Sequence, residues 1–358
     1  MQKKWRLVLL LSGFLTMCNL WSQERTTQFN GFGHFEYQLN NNKQINSFFT
    51  LGEHDFFVNS KLSNRISFLG EYVIRFNGAS ATNYLPSIER SLVKFNIKGN
   101  HSIIAGKVHT PLNYWNDVYH HGRLFFPTVD RPMAFSYLIP LHTLGLQFQG
   151  QNLGKMKFGY DFMVGNGIAS TDVSHSDWHT PVIASVHMKP ADDLRIGLSY
   201  YYEYLPNSVY GAHSGHSAVY SHYNGELYKG PLKYELASFS LAYFGPKFEI
   251  LNETTFNSTR TDSLGRANNF AQYLYIGVPV KEVHTPFVYA DIIQVANNDL
   301  HTYHMGRMKA GVGYRYQFNY HLQLKLQAEY DRMLHTHDNH TVLYDPYFTL
   351  RFQLAYGF

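Results

Sequence analysis

Cysteine is almost absent from this 358-residue chain: Cys18 is the only one. If the N-terminal end is removed on export, no disulfide, zinc-thiolate site or cysteine nucleophile remains to be considered. Charge is scarce too, with Asp, Glu, Lys and Arg making up 16% of residues for a formal net charge of +4. Lys3, Lys4 and Arg6 supply three of the positive charges, and without them 27 basic residues face 26 acidic ones. That balance gives no electrostatic case for a nucleic-acid partner. Beyond the N-terminus no run of about 20 apolar residues occurs, which disfavours a helical membrane protein. The G-x-S-x-G elbow and the H-E-x-x-H zinc helix are also missing, so no local motif points to an enzyme or a cofactor.

What the chain has in quantity is aromatic residues, 16% of the total with Tyr 28 and Phe 27, on a background that is polar on average. Residues 1–22 read as a secretory signal: a charged start, then the apolar run Leu7 to Met17, too short to span a bilayer. Cleavage after Ser22 leaves 23–358 as one domain. Cys18 loosely fits a lipidation box but follows Met17, which departs from that pattern.

The final stretch is strictly two-faced. Phe348, Leu350, Phe352, Leu354, Tyr356 and Phe358 are apolar, whereas Thr349, Arg351, Gln353, Ala355 and Gly357 are polar or small. A period of two is the mark of a strand with one apolar face. The same alternation recurs over 65–76, 155–164, 194–203, 307–316 and 322–330. Short turns near 61–64, 98–100, 150–154, 189–193, 245–247, 279–282 and 317–320 alternate with longer loops. Those loops lie near 40–46, 77–87, 110–140, 165–180, 205–230, 257–268, 296–304 and 331–346. Seven short turns and eight long loops imply about 16 antiparallel strands, an all-β transmembrane barrel that faces lipid outward and water inward. The strands near 48–60 and 286–294 are the least distinct, so counts of fourteen and eighteen stay open. A terminal Phe after alternating aromatics resembles the closing strand of outer-membrane barrels, the segment that the barrel assembly machinery reads.

A barrel of that width is not filled by its own wall, so a channel narrowed by an inward loop is expected. Thr110 to Pro140 is the candidate, because a loop with so many aromatics would not stay in solvent. His109, Asn113, Asp117, His120, His121, Arg123, Asp130 and Arg131 would form the constriction, and reversing the charge at Arg123 and Arg131 would shift selectivity toward cations. Inward-pattern charges Glu71, Arg75, Arg90, Lys94, Lys107, Asp161, Arg307, Lys309, Arg315, Lys325, Glu329 and Arg351 would line the pore. Their mixed signs point to a transverse field across it.

Within this loop the run GKVHTPLNYWNDVYHHGRLFFPTVDRP, Gly106 to Pro132, resembles the equivalent segment of the phosphate-selective porin O and P family. The resemblance implies a sixteen-stranded, often trimeric channel passing small solutes by diffusion in the outer membrane of a Gram-negative bacterium. That family's pore arginine ladder and lysines are not matched position by position here. Two other readings share the fold: an adhesin or receptor using the long loops, and an outer-membrane enzyme. Histidines cluster in the loops, at 175 and 179, at 213, 216 and 222, at 301 and 304, and at 335, 337 and 340. Without fixed geometry these are read as solvated surface, with no metal expected.

Overall fold

The structure is a computed structural model, and it describes residues 26–42, 47–76, 84–120, 122–169, 180–206, 222–223, 226–227, 230–302, 305–336 and 346–358. The expected signal peptide and His121 lie outside them, as do most of the loop histidines: 175, 179, 213, 216, 304, 337 and 340.

Sixteen antiparallel strands close into a barrel. They are β1 (Thr27–Asn40), β2 (Glu53–Lys61), β3 (Ile66–Phe76), β4 (Tyr84–Asn96), β5 (His101–His109), β6 (His142–Leu153), β7 (Phe158–Gly165) and β8 (Val182–Ala191). There follow β9 (Leu194–Leu205), β10 (Leu232–Phe244), β11 (Glu249–Thr261), β12 (Gly265–Gly277), β13 (His284–Gln294), β14 (Met305–Asn319), β15 (Leu322–Thr336) and β16 (Tyr347–Gly357). Phe48–Thr50 also pairs with β1 and continues β2 upward across a break at Gly52, whose φ of 68° suits a glycine. Both strands that were least distinct in sequence are therefore present.

The wall is apolar outside and polar inside. Leu198, Phe256, Val312 and Phe348 are all more than half exposed, whereas Gln353, Lys325, Gln327, Glu203 and Glu253 are buried. A soluble protein does not present such a continuous apolar exterior; a barrel in lipid does. The seam joins β1 to β16 from Phe32 opposite Gly357 to Asn40 opposite Thr349. Beyond the last rung, Gly31 and Phe358 exchange backbone hydrogen bonds at 3.0 and 2.9 Å. Removing Phe358 deletes both bonds and leaves Gly31 at an open edge. We expect the truncated chain to be exported normally but inserted in reduced amount; unchanged insertion in a membrane fractionation would show that the seam does not depend on this residue.

One expectation needs correction. Residues 257–268 are not a long loop: β11 runs to Thr261, β12 restarts at Gly265, and only a tight turn separates them. Asn257 and Thr259, two of the polar residues that suggested a loop, sit on the inner face, where Asn257 accepts from Asn269 at 2.7 Å and Thr259 donates to Asp299 at 2.9 Å. The turn after β6 also falls later than expected, at 154–157.

A loop folded into the lumen

The chain leaves the wall at the end of β5 and returns at β6, and the described residues of 110–141 lie inside the barrel. The segment is not structureless: it holds a π-helical turn (Trp115–Tyr119), a 3-10 turn (Arg123–Phe125) and a short α-helix (Met133–Tyr137). Just before that exit Gly106, still paired in β5, has φ 131°, and a Cβ there would sit 2.1 Å from the Ser91 carbonyl oxygen. Only glycine fits that close approach.

The loop is held by wall side chains that satisfy its backbone. Glu253 on β11 accepts the N–H of Trp115 at 2.8 Å, and Asp291 on β13 accepts that of Met133 at 2.7 Å. Each is the first residue of a helical turn, whose N–H groups have no partner within the turn, so the wall carboxylates act as caps. Gln327 on β15 accepts the Val129 N–H at 3.0 Å, and Thr128 meets the Tyr273 hydroxyl of β12 at 3.0 Å. These anchors are spread around the wall, which places the loop across the lumen. Around them Leu112, Trp115, Phe126, Phe135, Leu138 and Ile139 are buried with wall residues such as Tyr273 and Tyr275 in an apolar core inside the barrel.

Charge fixes the rest. Arg131 grips Glu53 on β2 through both terminal nitrogens (3.3 and 2.7 Å), donates from Nε to the His120 carbonyl at 2.9 Å, and stacks over Phe126 and Phe135. Arg123 shares Glu53 at 3.7 Å. Asp130 meets Arg351 at 2.6 Å and Lys309 at 3.7 Å. Burial pushes the Asp130 carboxyl up, but Arg351, Lys309, Arg123 and Arg131 together outweigh it and hold it well below its ordinary 3.8. A depressed carboxylate contributes stability above the unfolded pKa and loses it only as pH falls through the folded one. We therefore expect Asp130→Asn to lower folding stability by roughly 2 kcal/mol, the scale of a hydrogen bond between charged groups at a part-exposed carboxylate. The gap from wild type should be the same at pH 8 and pH 5 and close only below the usual carboxylate range; a gap that closes by pH 5 in denaturant titrations would contradict the assignment.

The residues expected at the constriction thus divide. Arg123, Asp130 and Arg131 anchor the loop, while His109 and His120 lie in a buried cluster with His142. Asn113 and Asp117 line a small polar cleft of about 20 Å³, room for about one water, beside the loop, with Ser185 and His187 of β8, Arg195, Gly197 and Ser199 of β9, and Ser240 of β10. Small side chains leave this space, and the Arg195–Asp117 ion pair crosses it. On the short-turn side an open vestibule of about 330 Å³ ends on Leu124 and Phe125 of the loop.

The expected pore-lining charges are mostly covered by the loop or paired. Glu71 binds Arg90, Glu53 and Glu89 bind Arg75, Asp331 binds Arg307, and Glu249 binds Arg315. Glu329 receives Lys309 at 3.2 Å and lies 3.8 Å from Arg351, which also meets Glu36. Such pairing replaces the transverse field with local neutralisation. Lys325 is fully buried; its ammonium donates to the Arg123 carbonyl and Gln353 and lies 5.8 Å from the centre of the Phe126 ring. Lys94 and Asp161 meet through Gln149, at 3.2 and 3.0 Å. Lys107 donates to the Ile88 carbonyl at 2.6 Å.

Sequence reasoning missed Glu89, His142, Glu253 and Asp291. The register shifts between Glu71 and Tyr72 opposite β4, so Glu89 and Arg90 both reach inward and break the alternation. The adjacent opposite charges were the one available signal. His301 is not solvated either: it packs edge-on against Tyr234 at 5.1 Å, and burial pushes its imidazole down to about 4.

Fold and lumen together define a closed sixteen-strand barrel of outer-membrane type, crossed by an inward loop. No family model matches the chain, and no curated protein matches it. Solved structures do. The trimer form of OmpT, an outer membrane protein of Vibrio cholerae, aligns with a TM-score of 0.64 at 11% identity, over 94% of this chain and 100% of that one. An anion-selective porin from Comamonas acidovorans gives 0.63 at 11% identity over 94% and 100% of the two chains. The outer membrane channel DcaP of Acinetobacter baumannii gives 0.61 at 10%, over 93% and 97%. At these identities the likeness is one of fold.

Proposed function

We propose that this chain is an outer-membrane porin of a Gram-negative bacterium, a channel for passive diffusion of small hydrophilic solutes or ions, narrowed by the loop 110–141. The observation that carries this reading is the polar cleft between the loop and β8–β10. Elsewhere the described loop residues meet the wall through apolar packing, hydrogen bonds or paired charges, whereas here small polar side chains around one ion pair leave water-sized space. Asn113, Asp117 and Arg195 are among its polar groups, and Asp161 reaches it through Ser185. The porin and channel neighbours support the class, and the OmpT trimer supports a homotrimer. Kinship with the phosphate-selective porins O and P rests on the run Gly106 to Pro132. The paired cations argue for a general solute route over a phosphate filter. On this reading transport is physical and the chain is not an enzyme. Purified protein added to a planar lipid bilayer should give discrete, small conductance steps; silence from a folded protein, with the loop both intact and removed, would favour a receptor or adhesin.

A further inference from the structure

At the base of the inward loop, three imidazoles from three separate segments meet beside two carboxylates. His109 ends β5, His142 opens β6, and His120 follows the π-helical turn. One ligand atom from each lies within 4.8 Å of the others. The His109 and His120 rings are stacked with centroids 3.5 Å apart, and the His142 ring lies 4.7 Å from His120 and 5.4 Å from His109. Glu71 Oε2 is 3.5 Å from His109 Nε2. Glu89 Oε2 is 2.8 Å from His142 Nε2 and 4.0 Å from His120 Nε2. Its other oxygen is occupied by Arg75 and Ser87, each at 2.6 Å.

We propose that His109, His120 and His142, with Glu89 as fourth ligand, bind a zinc-type divalent cation that pins the loop to the wall. Two donors on one tetrahedral zinc, each about 2.0–2.1 Å from the metal, lie about 3.4 Å apart. The two Glu89 distances bracket that value, and the three imidazole ligand atoms, within 4.8 Å of one another, would draw together as the stacked His109 and His120 rings turn toward the metal.

The tautomer of His120 suits a ligand. Asn116 Nδ2 donates to the carbonyls of Thr110 and Leu141 at 2.7 and 3.2 Å, which fixes its Oδ1 as an acceptor. That Oδ1 lies 2.8 Å from His120 Nδ1, so Nδ1 carries the hydrogen and Nε2 carries the lone pair. A ligating histidine oriented through its other nitrogen is the usual arrangement around protein-bound zinc. The backbone of His120 is also held at φ 39°, ψ −88°, a conformation that costs energy and aims the ring into the cluster. Binding at His142 displaces the proton shared with Glu89, so affinity should fall as pH drops.

The test uses the tagless, refolded full chain, stripped with a chelator and titrated with Zn²⁺ by calorimetry. X-ray absorption at the zinc edge follows on the loaded protein. The expected result is about one zinc per chain with three imidazole nitrogens in its first shell. His142→Gln and His120→Gln should each weaken binding at least tenfold while the barrel remains heat-modifiable. Fewer than three imidazoles at the edge, no retained zinc, or unchanged affinity in both variants would overturn the proposal. In the last case the metal sits on other histidines and the cluster is a hydrogen-bonded packing motif alone. Should either variant fail to fold, the absorption spectrum of the wild-type protein still decides.

Discussion

Replacing Arg131 with alanine, together with Arg123→Ala, should raise single-channel conductance severalfold and make it noisy. Arg131 is mostly buried; it grips Glu53, donates to the His120 carbonyl and stacks on Phe126 and Phe135. Removing one partner of such a pair costs about 3 kcal/mol or more, which multiplies the population with an unseated loop by about 150-fold. Charge reversal at the same positions has the same consequence. A carboxylate introduced at position 131 would be repelled by Glu53, so the effect is release of the loop and not the simple selectivity shift that sequence alone suggested. A thermal melt showing an intact barrel, with conductance equal to wild type, would mean that Glu53 does not hold the loop.

The barrel was legible because its physics is periodic. Lipid outside and water or polar packing inside impose a two-residue repeat, and the repeat survives in β9, β14, β15 and β16 residue by residue. It misled where the interior itself supplied the clue: Asn257 and Thr259 look like loop residues, but they face inward with partners on Asn269 and Asp299. The inward turn of 110–140 was legible from its length and aromatic content. Its anchors were not, because Glu53, Glu253, Asp291 and Gln327 come from four strands far apart in sequence. Nothing local distinguishes a carboxylate that caps an inner helix from one that faces water. The histidine cluster shows the same limit, since pairing of His109 with His142 across β5 and β6 depends on register.

The second large effect concerns ion choice. Asp117 and Arg195 form the ion pair at the polar cleft, with Arg195 also lying over Tyr114 at 5.3 Å. Asp117→Asn leaves the guanidinium without its carboxylate and should favour anions, whereas Arg195→Gln should favour cations. A unit charge about 5 Å from a passing ion in a water-like medium contributes about 0.8 kcal/mol, about fourfold for each ion sign. Reversal potentials measured under a salt gradient should move in opposite directions for the two variants. The shift should shrink as salt is raised, because the screening length is about 8 Å at physiological ionic strength and about 3 Å at 1 M. Equal reversal potentials in both variants would place the ion route elsewhere in the lumen.

The most direct test of an inward loop that narrows a diffusion channel is the single-channel conductance of a chain whose residues 114–131 are replaced by a short Gly-Ser linker. That exchange removes Trp115, Phe126 and the Glu53, Asp130 and Lys325 contacts at once, while β5 and β6 keep their pairing and the wall stays closed. Conductance several times that of wild type, with weak ion preference, is the expected result; a folded barrel with conductance unchanged from wild type would contradict it.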